Sequence, residues 1–536
     1  MFTALSQAGP TATATGATSA HPDAQDGGVP SPNAGVSWLT FVTIAIAGAL
    51  LTLALRPVDF VHHDTTEALM WSQTPWTFGF WKHPPLLPWL MKLWFFGLPI
   101  HPVSIAALTG LNLAVGAYAV WRMARIVVDE RSAFLALALF GTLPYVFMGI
   151  KLNHNSILIS LWPLTILALL LAMERPTWTR GFLFGVACAA SMLAKYYSGL
   201  LLAACLLASL VSPLRRRFYT GLAPYVAVLT FAALMAPHVL WMLDHKAQPL
   251  GYAFHVGRDG RAFALNFAWL TLLLCLPPVL VGLWMGWAQK GQARLDAVVT
   301  RRRLEPELIT LMAVPYLLTI ALTLVFDLRG ATAWAMPVFV CLPVLIAARL
   351  PPPSRGFATG VRRIFGVGLV GACLIGPLAA RYAVSAGREG AADPRRPIAE
   401  AVTRIWRRNI GTPLPIIGGE GRLISATTLF SSDHPLGWTG FSPVMAPWVK
   451  PDAVETLGFA AVCLFSDDSC RQSVTQAASG RGFSCRLRHR AEYLGAVGPW
   501  VDSLVTIVPP RNHAAAIGDA PCYGENPGHE PRKPAQ

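Results

Sequence analysis

Charge is scarce in this chain. Asp, Glu, Lys and Arg make up 13% of its 536 residues, against 54% hydrophobic residues. A chain so poor in charge cannot coat a soluble globule, and its class is that of a polytopic membrane protein. Acidic residues are the rarer sign, 28 against 43 basic, which leaves a net charge of +15. No nucleic-acid-binding motif accompanies that excess, so nucleic acid is excluded as a partner. Lys and Arg are missing altogether from residues 1–35. The basic n-region of a cleavable signal peptide is therefore absent, and no cleavage is expected. The same stretch is rich in Ala, Thr, Gly, Ser and Pro, cannot bury a core, and reads as a disordered cytoplasmic tail.

Apolar runs are the abundant feature. A membrane span needs ~20 apolar residues. Spans are expected at 36–55, 103–121, 132–149, 156–173, 181–194, 199–213, 218–243, 264–287, 307–326, 331–349 and 364–383. With the N-terminus inside, the inner loops collect most of the basic residues, among them Arg122, Arg125, Arg131, Arg215, Arg216, Arg217, Arg301, Arg302, Arg303, Arg362 and Arg363. That bias obeys the positive-inside rule. An odd number of spans, about eleven, then sends the C-terminal part to the periplasm.

Residues 384–510 are less apolar and read as a small soluble α/β domain. Strands are expected at 411–418, 460–465 and 503–508, with helices at 397–408 and 467–478. Residues 511–536 carry no pattern and read as a flexible tail. Cysteines are few, and they divide at the same boundary. Cys188, Cys205, Cys275, Cys341 and Cys373 lie in apolar spans as small hydrophobes. Cys463, Cys470, Cys485 and Cys522 lie in the outer part, where disulfides are expected with the pairing open.

Polar chemistry concentrates in one outer loop, residues 56–102. Asp64, Glu67 and Trp71 stand at i, i+3 and i+7, one face of a helix, and Lys82 and His83 follow. Pro84 and Pro85 suit the start of a helix running Leu86 to Phe96. Asn153-His154-Asn155, Lys195-Tyr196-Tyr197, His238, Arg258 and Arg329 fall on the same side of the expected topology. Ionisable groups near a membrane are costly, and their concentration on one side argues for a functional cavity there.

Asp64-x-x-Glu67, Trp71-Ser-Gln and Gly79-Phe-Trp-Lys-His-Pro-Pro-Leu-Leu-Pro-Trp89 resemble the first outer loop of bacterial GT-C glycosyltransferases of the family-39 and aminoarabinose-transferase type. The resemblance extends over most of residues 58–350, through Asn153-His-Asn-Ser, Ala194-Lys-Tyr-Tyr-Ser and Pro237-His-Val-Leu-Trp241. It implies a GT-C-like catalytic domain at 36–383. The implied activity is transfer of one sugar, with inversion, from a polyprenyl-phosphate carrier to an envelope lipid or polysaccharide such as lipopolysaccharide, on the periplasmic face of the inner membrane.

On that resemblance Asp64 is the general base, a carboxylate placed to take the acceptor's proton. Lys82, Lys195, Arg258 and Arg329 would neutralise the departing lipid phosphate. Glu67, His83 and Tyr197 complete the expected substrate-binding set, and Trp71, Trp76 and Trp81 could stack on sugar or line a lipid groove. Many relatives carry an acidic residue at the position of Lys82 and an aspartate at that of Asn155. No cofactor is expected; a divalent ion held by His62, His63, His83 and Glu67 is the alternative. The rival function is a transporter or flippase for a polyprenyl-linked sugar. Such a protein often shows internal repeats, and no repeat stands out here.

Overall fold

In the computed structural model the described residues are 36–55, 60–144, 146, 149–255, 260–288, 304–328, 334, 336–354, 356–512 and 522. Among the described residues six helices are long and apolar enough to cross a membrane: Trp38–Leu55, Pro102–Val127, Ala223–Asp244, Gly260–Trp287, Glu305–Phe326 and Phe357–Ser385. Shorter apolar helices, Leu158–Glu174, Trp178–Ala194 and Gly199–Val211, cover the expected fourth, fifth and sixth spans. The chain is a mostly helical, multi-pass membrane protein carrying a C-terminal sheet layer.

Two expected spans take another form. The third stops at Gly141, in the helix Glu130–Gly141, just before Pro144. Over 331–349 the described residues form turns at 336–341 and a short helix, Leu342–Ala347. Pro337 and Pro343 deprive a continuous helix of two donors there. Small residues bring the helices together. Gly110 presses so closely on Trp38–Leu55 that a Cβ would strike the Ala45 carbonyl.

The C-terminal layer holds strands β1 (Ile416–Gly419), β2 (Leu436–Thr439), β3 (Phe459–Leu464), β4 (Phe483–His489), β5 (Glu492–Tyr493), β6 (Ala496–Val497) and β7 (Val501–Val508). The main sheet runs β2-β1-β3-β7-β4; β1 is parallel to β2 and β3, and β7 is antiparallel to β3 and β4. The strand expected from residue 411 begins only at Ile416, because Pro413 and Pro415 cannot donate to a ladder. The helix Arg395–Ile410 closes at Gly411, whose φ of 84° is the left-handed cap. It lays Ile398, Val402, Ile405 and Trp406 on the sheet at helical spacing. The helix Gly421–Phe430 and strands β2 and β4 were not anticipated.

The outer cysteines pair as Cys463–Cys470 and Cys485–Cys522. The second bond ties Cys522, in the stretch expected to be a free tail, to the edge strand β4. Both cores meet at the short helix His63–Ser72. Its Ala68 and Leu69 belong to the membrane bundle, with Leu87, Met91 and Trp162. Met70 and Trp71 belong to the sheet's core, with Ile405, Ile417 and Ile424. Thr66 adds a hydroxyl contact of 2.9 Å to Ser425.

Candidate active site

The helix His63–Ser72 starts under a local cap: the Asp64 backbone N–H donates to His62 Nδ1 at 3.2 Å. The expected helix after the double proline runs Leu86–Gly97. Between them Gly79 lies flat against the Trp241 ring, where any Cβ would clash. That close approach folds the outer loop onto the helix Ala223–Asp244 and so gathers residues distant in sequence.

Asp64 is held by two contacts, with a third group close by. Asn153 Nδ2 donates to its Oδ2 at 3.1 Å, His63 Nε2 lies 3.0 Å from Oδ1, and His62 Nδ1 lies 3.6 Å from Oδ2. Asn153 has no freedom to turn, because its Oδ1 accepts the backbone N–H groups of Asn155 and Ser156 at 3.0 and 2.9 Å. Burial pushes the Asp64 carboxyl up. The His63 hydrogen bond and the charges of His62, His63 and Lys82 outweigh it and hold the group well below the usual carboxylate range. Asp64 is an oriented anion.

Lys82 and Glu67 form a half-buried ion pair at 2.9 Å, with the Lys82 ammonium 5.6 Å from the Tyr252 ring centre. Burial would lower Lys82, but the Glu67 carboxylate raises it, so the cation is retained. Burial raises Glu67 against the pull of Lys82. Lys195 is placed differently. Its ammonium donates to Asn155 Oδ1 and stands 5.1 Å from the Trp334 ring centre. Among the described residues no carboxylate pairs with it. Burial drives its pKa down to about 7, the distant Asp64 opposing and Lys82 assisting. His83 and His154 stack at 4.1 Å beside this pair. Burial, then neighbouring charge, drives His154 to about 3 and His83 well below its ordinary value, so both are neutral.

Of the residues expected to act together, Asp64, Glu67, Lys82, His83 and Lys195 converge. Tyr197 supports them: its hydroxyl meets Thr319 at 2.7 Å and its ring stacks on Trp162. Arg258 and Arg329 lie outside the described residues. Trp71 is not a sugar platform. It is 1% exposed and stacked on Phe80 at 4.9 Å, inside the sheet's core with Ile405 and Ile424. Asp327 caps a helix, accepting from the Gly260 N–H at 2.7 Å. Ligand atoms of His62, His63 and Asp64 lie within 4.8 Å of one another, so any divalent ion here would meet these three. His83 is turned away into its stack with His154. Tyr252 beside Lys82 was missed, because a lone tyrosine in a helix carries no signal of its own.

A family model described as dolichyl-phosphate-mannose-protein mannosyltransferase matches residues 82–241, which hold Lys82, His83, Asn153, Asn155 and Lys195. A lipopolysaccharide core galacturonosyltransferase, RgtB of Rhizobium johnstonii, is 24% identical over 452 residues, covering 78% of this chain and 88% of the relative. The crystal structures of ArnT from Cupriavidus metallidurans share the fold, in the apo state and bound to undecaprenyl phosphate. They superpose with TM-scores of 0.53 and 0.52 at 15% identity, over 88% of this chain and 97% of theirs. On these comparisons the chain is a glycosyltransferase that shares the fold of the ArnT structures.

Proposed function

We propose that this enzyme moves one sugar from a polyprenyl-phosphate carrier to an envelope glycolipid at the periplasmic face of the inner membrane, with inversion. The N-terminus is then cytoplasmic and the C-terminal layer periplasmic, as the distribution of arginine suggests. One observation carries the reading: Asp64 is fixed as an anion in a site that also holds the half-buried ammonium groups of Lys82 and Lys195, and among the described residues no carboxylate pairs with Lys195. A lone buried cation is costly until an anion joins it. A lipid phosphodiester reaching the membrane surface is such an anion, and a related lipid phosphate, undecaprenyl phosphate, is bound in the ArnT complex.

In the reaction the acceptor hydroxyl attacks the anomeric carbon, its oxygen forming the new C–O bond. The bond from that carbon to the phosphate oxygen breaks, and its electron pair leaves with the phosphate. Asp64 takes the hydroxyl proton. Lys82 and Lys195 stabilise the charge that grows on the departing phosphate. No metal enters these steps. Among forces holding the Asp64 pKa down, the His63 hydrogen bond is the largest. An acceptor that displaces the imidazole therefore strengthens the base it approaches.

A second assignment has its own observation. His63 sits between Asp64 and open space, so Asp64 could orient His63, which would take the proton in its place. The deciding assay is sugar transfer from radiolabelled polyprenyl-phosphate donor by purified protein, with donor affinity measured separately. His63→Ala retaining transfer within about tenfold favours Asp64; a loss as deep as that of Asp64→Asn favours His63. Purified wild type that carries donor across a vesicle without transferring its sugar would overturn both.

A further inference from the structure

Behind the two histidines lies a cavity of about 510 Å³. That is within the ~300–1,000 Å³ typical of small-molecule sites. Its floor is one stripe of the membrane helix Phe357–Ser385: Gly376, Ala379, Ala380 and Ala383, at i, i+3, i+4 and i+7. Gly376 touches the Ala54 backbone so closely that a Cβ has no room. The floor therefore begins where this helix parts from Trp38–Leu55. Small side chains beyond that point leave an apolar trough.

The roof is polar. Glu389, Asp393 and Arg395 come from the stretch that leaves the helix, and Arg422 from the first turn of Gly421–Phe430. Arg422 pairs with Glu389. Arg395 is only 6% exposed; it donates to the Gly390 carbonyl at 3.2 Å and lies 3.8 Å from Asp393. Its buried Nε has no hydrogen-bond acceptor. An unsatisfied buried donor is costly. The inner wall is His62 and His63, the groups that hold Asp64.

Such a cavity, oily below and polar above, suits the headgroup of an amphiphile. Guanidinium groups only donate and carboxylates only accept. Two of each match hydroxyls, which do both. A bare phosphate would leave Glu389 and Asp393 facing an anion. We propose that this cavity is the acceptor subsite: it takes the saccharide headgroup of a membrane-anchored glycolipid and presents one hydroxyl past His63 to Asp64. The assignment rests on the transferase reading above and adds the side from which the acceptor comes. The Arg422 guanidinium and the Glu389 and Asp393 carboxylates lining the cavity then meet the sugar hydroxyls.

The test fills the trough. Ala379 is exposed and Ala383 half-buried, so leucine at both adds bulk without entering a packed core. With glycolipid extracted from the envelope of a deletion strain as acceptor, Ala379→Leu/Ala383→Leu should raise the apparent acceptor KM at least tenfold. Donor affinity and slow transfer to water should not change. Arg422→Gln should act in the same direction more weakly. Phosphatase treatment of the glycolipid should leave the wild-type KM within about threefold. Wild-type acceptor KM in both variants overturns the site alone, as does equal loss of donor affinity. A large rise in KM after dephosphorylation overturns the saccharide assignment. A wild type that binds donor but transfers to no acceptor overturns the transferase reading and the site together.

Discussion

Asp64 has unlike neighbours on its two sides. Toward the membrane bundle lie the half-buried Lys82, Lys195 and His83 and the buried His154, with Glu67 the one carboxylate in an ion pair there among the described residues. Toward the linker and sheet lie Arg395 and Arg422, matched by Asp393 and Glu389 around an open cavity. The first side carries uncompensated positive charge in a place that penalises it, an arrangement that favours an anionic ligand. The second is charge-balanced and wet, an arrangement that favours a polyhydroxyl one. On the proposed reading this difference gives the transfer a direction, with the lipid phosphate on one side of the carboxylate and the acceptor on the other.

The deepest cut into this comparison removes the group between the sides. Asp64→Asn keeps the shape and the Asn153 contact but loses the charge. General-base catalysis contributes typically ~10²–10⁴-fold, so turnover should fall by about that factor. Donor affinity should stay within about threefold, since the lysines are untouched. Near wild-type turnover, measured with radiolabelled donor, would remove Asp64 from the chemistry.

Stability should separate the sides next. Lys82→Ala leaves the half-buried Glu67 without its cation, which should cost about 2 kcal/mol, between the values for exposed and fully buried pairs. Thermal unfolding in detergent should show the loss, and Lys82→Ala/Glu67→Ala should recover most of it. Arg422→Ala removes an ion pair exposed at both ends and should leave the unfolding temperature almost unchanged. Equal losses at the two pairs would erase the contrast between buried and open sides.

A further effect contrasts the sheet layer with the bundle. Cysteines in the bundle are free, whereas the sheet carries Cys463–Cys470 and Cys485–Cys522. Disulfides typically contribute roughly 2–4 kcal/mol, more for longer loops. Cys485→Ser/Cys522→Ser, which opens a sequence separation of 37, should lower the sheet's stability more than Cys463→Ser/Cys470→Ser, which opens one of 7. Alkylation without reductant followed by mass mapping should find all four blocked. Free thiols there would contradict the oxidising compartment assigned to this layer.

The two sides were not equally legible in the sequence. The bundle side rests on local patterns: Asp64, Glu67 and Trp71 at helical spacing, a double proline that starts the next helix, and Lys195 in a gap between apolar runs. Periodicity and proline chemistry read these without knowledge of the fold. Their mutual distances could not be read, since Gly79 against Trp241 and Asn153 against Asp64 join elements far apart in the chain. The cavity side left almost no trace. Arg395 sits at the start of a helix whose other residues serve the sheet, and Arg422 opens a helix not anticipated at all. They meet across the cavity only because Thr66 and Met70 bind that helix to the outer loop. Trp71 shows the opposite error. Its aromatic ring beside polar residues suggested ligand stacking, but the sheet layer that packs on this helix, not legible in the sequence, made it core.

The subtlest expected effect tests whether the membrane side is an anion site at all. The Lys195 pKa is lowered to about 7 by burial, so its charge should be lost within the accessible pH range. Its neighbours do not titrate there: His83 and His154 stay neutral, Lys82 stays charged beside Glu67, and Asp64 stays ionised. A phosphodiester donor also keeps its single charge from pH 6 to 9. Below pH 7 the free enzyme holds the ammonium and donor affinity should be level. Above pH 7 binding must first recover a proton, and the dissociation constant should rise toward about tenfold per pH unit. The rise ends at the pKa of the complex, which the bound anion elevates. Lys195→Arg keeps its charge throughout, so its profile should be flat over the same range. Donor titrations of both proteins between pH 6 and 9 decide the matter. A flat wild-type profile would show that Lys195 does not meet the phosphate, and the contrast between the two sides of Asp64 would then rest on Lys82 alone.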